Sequence, residues 1–121
     1  MERTIYMVRV VTHGLYEWGR GWVSSEKERL WNEFWEKCPS RFWHIATPKD
    51  GISCPYLASM AGSIYLHPMD FDAVLTTPEY SLTDIYLEDL QETMKKCSEV
   101  VGFTYDFKVS KKQRITFNVE G

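Results

Sequence analysis

Two stretches of this chain repeat their apolar residues at helical spacing, and each leaves an apolar face that the rest of the chain must cover. In the first, Leu30, Trp31, Phe34, Trp35 and Cys38 fall on one stripe of a helix. Ser25-Glu26-Lys27-Glu28 reads as a capping box at its start, and Pro39 enforces an end after about Cys38. The second runs from Asp84 to about Val101, with Thr83 as N-cap and Gly102 at the C′ position. Its stripe is Tyr86, Leu87, Leu90, Met94, Cys97 and Val101. Asp84, Glu88 and Asp89 stand early in it, and Lys95 and Lys96 late, a polarity that complements the helix dipole.

Strand signals surround these helices. Thr4 to Thr12 is a β-branched and aromatic run, followed by a His13-Gly14 turn. Leu15 to Val23 is aromatic but holds Gly19 and Gly21, so it reads as a short strand or an aromatic loop. Arg41 to Ala46 and Ser63 to His67 read as strands, with Ile52 to Ala61 irregular between them. Asp70 to Thr76 alternates as a strand or an extended connection. Phe103 to Val109 and Ile115 to Val119 alternate cleanly and read as a hairpin, with Ser110 to Arg114 as its polar connection.

Two striped helices among several strands are most economically covered by a sheet. The expectation is an α+β domain spanning residues 1–121. It would be a two-layer sandwich, with both helices on one face of a mainly antiparallel sheet. The order is ferredoxin-like with an extra C-terminal strand. Eighteen aromatic residues (five Trp, seven Tyr, six Phe) suffice for a core in a chain of 121 residues. No stretch has the roughly 20 apolar residues of a membrane helix, and Met1 to Val11 lacks the pattern of a secretory signal. Three cysteines, Cys38, Cys54 and Cys97, have no metal-type spacing and an odd count, which points to reduced thiols in a cytoplasmic protein.

Charge is distributed unevenly. Between Asp50 and Met94 there are eight acids and no Lys or Arg. Residues 1–49 carry eight Lys/Arg against six acids, and residues 95–121 carry six against three. A local field of this kind acts over about 8–10 Å in physiological salt and bears on partner choice. Lys111, Lys112 and Arg114 form a basic cluster, but a pI of about 5.6 and the acidic middle argue against nucleic acid. Lysines in a polar hairpin tip would instead protect a sheet edge.

Few residue groups suggest chemistry. His67, Asp70 and Asp72 place an imidazole and two carboxylates within six residues and could ligate a divalent metal. The plainer alternative is a strand end followed by a solvated acidic turn. His13 with Glu17 offers a general-base pairing, and Cys54 is the cysteine outside both helix stripes. Phosphate loops, dinucleotide fingerprints and nucleophile elbows are absent from the sequence, so it names no cofactor. Trp18, Arg20 and Trp22 form an aromatic-cationic set of the type enriched in binding hot spots.

These observations lead to the expectation of a non-catalytic protein-binding or assembly domain. Asp84 and Glu88 would lie on its acidic face, with Trp18, Arg20 and Trp22 as anchors. The partner would be a basic protein surface or a second copy in a homodimer. The competing expectations are a small metal-dependent or acid/base enzyme centred on His67, Asp70 and Asp72, and a ligand-binding module with an aromatic pocket.

Overall fold

The computed structural model describes residues 2–17, 19–37, 43–46, 54–59, 62–66, 68 and 79–116. Its elements, in chain order, are β1 (Glu2–His13), β2 (Tyr16–Glu17), β3 (Gly21–Trp22), α1 (Ser25–Glu36), β4 (Trp43–Ala46), β5 (Cys54–Ser59), β6 (Gly62–Tyr65), β7 (Tyr80–Leu82), α2 (Asp84–Val101) and β8 (Thr104–Thr116). Two helices with mainly antiparallel strands among the described residues make this an α+β protein.

β1 is the centre of a three-stranded antiparallel sheet in the order β7-β1-β8. Strands have a side-chain period of two, so Tyr6, Val8 and Val10 share one face. They pack with Leu82 of β7 and with Tyr105 and Phe107 of β8 into the hydrophobic core. α2 lies against β1 and β7, and α1 packs on α2 and β3. The core joins both helix stripes to the sheet: Trp31 and Trp35 from α1, and Leu90, Met94 and Cys97 from α2, are all fully buried.

β2 and β3 form a small hairpin. The Arg20 N–H donates to the Glu17 carbonyl at 3.0 Å, closing a turn in which Gly19 has φ +80°. A turn needing positive φ at its third position selects glycine there. The segment from Leu15 to Val23 is therefore a hairpin rather than one strand or an irregular loop. β4, β5 and β6 form a separate antiparallel meander.

Three expectations are corrected. First, α1 is capped by Ser24, not Ser25: the Lys27 N–H donates to Ser24 Oγ at 3.2 Å, which leaves Glu28 outside the capping-box position. Second, residues 54–59 are a strand rather than irregular chain. Pro55 pairs with Ile45 of β4 outside the β5–β6 ladder, which runs from Tyr56 to Ser59, so among the described residues it takes part in one ladder rather than two. Third, residues 104–116 are one continuous strand, not a hairpin arm and a connection. β1 offers 12 residues of edge, and β8 follows it from His13↔Thr104 to Glu2↔Thr116. The polar stretch is absorbed by a bulge: Tyr6 pairs with Lys111 and Ile5 with Gln113, so Lys112 is the extra residue. The α2 boundaries match expectation, with Gly102 left-handed at φ +83°. The expected strand over 70–76, and residues 117–119 of the one expected over 115–119, lie outside the described residues.

Candidate functional site

α2 separates the sequence-derived binding residues into two groups. Asp84 and Glu88 are exposed on its first turns, with Ile85 (47 % exposed) between them. Among the described residues, neither carboxylate has an ion pair. Further along the same face Glu92 is paired with Lys96 at 3.2 Å. The aromatic group sits at the other end. Trp22 packs edge-on to Tyr16 at 5.6 Å and contacts Trp31 at 6.4 Å between ring centroids. Trp31 in turn meets Phe103, just past the last turn of α2, at 6.0 Å. An 18-residue helix spans roughly 26 Å at 1.5 Å per residue. Trp22 thus packs toward the end of α2 opposite Asp84 and Glu88. Trp22 is half-buried in core packing, and Arg20 is exposed, its guanidinium 3.5 Å from Glu17. Trp18 lies outside the described residues.

At this end α1 and α2 are tied by a contact the sequence did not reveal. Lys27, in the first turn of α1, donates from Nζ to the Val101 carbonyl at 2.8 Å and to the Gly102 carbonyl. Those carbonyls belong to a helix end with no basic residue of its own in the last turn. The ammonium thus satisfies orphan acceptors and complements the negative end of the dipole.

The candidate catalytic groups are dispersed. His13 pairs with Asp106 rather than Glu17, with Nε2 and Oδ2 2.8 Å apart across the β1–β8 ribbon. Cys97 is buried, and desolvation pushes its thiol far above the ordinary range against a hydrogen bond from Trp35. A thiol held neutral in this way is a core residue rather than a nucleophile. His67, Asp70 and Asp72 lie outside the described residues, and among the described residues no group of three or more metal-ligating side chains occurs. Nor is any helix among those residues long and apolar enough to cross a membrane.

An open groove of about 460 Å³ at the β7-β1-β8 sheet is lined by Met7, Arg9, Glu79, Phe107, Lys108, Val109 and Ser110. Arg9 and Lys108 are directly opposed in register. One Glu79 carboxylate oxygen stands 3.9 Å from the Arg9 guanidinium. Sequence reasoning missed this row because opposition across strands exists only once the register is known. The available signal was Arg9 itself, a charge inside the apolar run from Thr4 to Thr12.

No known protein family, curated protein or solved structure matches this chain. The functional reading therefore rests on the geometry alone.

Proposed function

We propose that this chain is a non-catalytic protein-binding or assembly domain whose contact surface is the acidic start of α2. The observation that carries this reading is the exposed set Asp84, Ile85 and Glu88. An apolar side chain flanked by unpaired carboxylates suits a partner that presents cations around an apolar contact. The matching surface is basic, and a second copy carries Lys111, Lys112 and Arg114 within four residues of its sequence. The register favours that self-complementary version. Leu82, which leads into α2, and Lys111 both pair with Tyr6, so the acidic and basic segments flank one end of the sheet. They are separated by about two strand spacings, roughly 10 Å. Nearby segments of opposite sequence charge suit a two-fold interface, since each copy then offers both halves of the contact.

The same proposal includes a ferredoxin-like, two-layer arrangement with both helices over one sheet face. Supporting it are the central position of β1 between β7 and β8, and the packing of α1 on α2.

Light scattering coupled to size-exclusion chromatography, run at low and at half-molar salt, tests the assembly. A dimer that dissociates in salt, and that D84K/E88K abolishes, supports a second copy as partner. If wild type is monomeric throughout, affinity capture with wild type and D84K/E88K decides the heterologous version. Equal retention of every captured protein by both forms overturns it.

A further inference from the structure

The row Glu79–Arg9–Lys108 across the sheet is electrostatically unbalanced. Arg9 and Lys108 stand directly opposite on β1 and β8, where like charges destabilise a sheet. Asp106, two residues before Lys108, does not relieve this, because its carboxylate is engaged by His13. Glu79 reaches Arg9 only at 3.9 Å, and Lys108 has no ion pair among the described residues. Arg9 Nε is buried without a hydrogen-bond partner, so the guanidinium is incompletely satisfied where it stands. These groups line one groove together with Met7, whose sulfur accepts from Ser81 Oγ at 3.2 Å, and with Ser110.

We propose that this groove binds a small organic carboxylate, held between the Arg9 guanidinium and the Lys108 ammonium with its carbon skeleton along Met7. Guanidinium and carboxylate match as a fork, and Lys108 adds a point charge beside it. The charged lining sums to a single positive charge, two cations against Glu79. That matches a monoanion in charge, whereas a doubly charged phosphate would leave one negative charge uncompensated. The site is separate from the α2 surface and does not depend on its role.

The test is a titration of isotope-labelled full chain with benzoate at fixed ionic strength, read from backbone amide resonances. Saturable shifts at Arg9, Lys108 and Ser110 are expected. K108Q changes an exposed residue and should weaken the apparent affinity roughly tenfold, the loss of one charge-assisted contact. R9Q should weaken it further where it folds, and E79Q should strengthen it. Phenyl phosphate serves as the comparison ligand and should bind more weakly than benzoate. Absence of saturable shifts with benzoate, an unchanged titration in K108Q, or tighter binding of phenyl phosphate would each overturn the proposal.

Discussion

At its last turn α2 runs into Trp31, Phe103 and a lysine borrowed from α1; at its first turn it offers Asp84, Ile85 and Glu88 to solvent. The capping differs in the same sense. Gly102 closes the C-terminal end by donating to Ser98, whereas Thr83 makes no side-chain bond to the N-terminal end. One helix thus has an end tied to α1 and an end whose Asp84 and Glu88 carboxylates stand in solvent. Substitutions at the two ends should separate stability from binding.

The largest effect is expected from Trp31→Ala. The ring is fully buried among Trp22, Trp35 and Phe103, so its removal should cost about 3–5 kcal/mol in denaturant unfolding. A loss below about 1 kcal/mol would mean that the aromatic end does not support the fold. Lys27→Met should come next, at about 1–2 kcal/mol, because it removes the partner of the part-buried Val101 carbonyl and of the exposed Gly102 carbonyl at the end of α2. A cycle with Gly102→Ala sharpens this point. A Cβ at Gly102 would stand 2.6 Å from Lys27 Nζ, so the two substitutions should not be additive.

The third prediction concerns pH. The Cys97 thiol is raised in the folded state, so above its ordinary ionisation range the unfolded chain loses a proton that the folded chain keeps. The stabilisation is fully present below about pH 8.5, and it declines above that by about 1.4 kcal/mol per pH unit. Cys97→Ala should remove this slope, which unfolding curves at pH 8, 9 and 10 would measure. The smallest change is expected at the open end. Asp84→Asn with Glu88→Gln should shift stability by about 1 kcal/mol at most, chiefly through the helix dipole. The same change should remove salt-sensitive association. Lost association with unchanged unfolding is the pattern that would complete the contrast.

The sequence revealed the helices far better than the strands, for a local reason. The stripe of α2 and its Gly102 stop lie within one continuous segment, and the spacing of Leu87, Leu90, Met94 and Cys97 has no strand equivalent. β8 was misread because Ser110 to Arg114 is polar and its alternation breaks at Lys112. Only the distant β1 shows that a bulge carries pairing through that stretch. Pro55 concealed β5 in the same way, since only the pairing places it outside the β5–β6 ladder. Of the site residues, Asp84 and Glu88 were readable as an exposed acidic start, because both fall opposite the apolar stripe. The separation of Trp22 from them was not, because it arises from packing on Trp31 and Phe103. Nor was the opposition of Arg9 and Lys108, which lie far apart in the chain.

The longest ladder in the structure joins β1 to β8. During synthesis, the ribosome delivers β1 long before its chief partner exists. Until residues 104–116 emerge, a 12-residue ribbon rich in β-branched side chains has one flank unpaired. Slow, long-range closure of this type leaves nascent chains open to aggregation. Chains cut short before β8 should therefore need a chaperone or precipitate, whatever the finished protein binds.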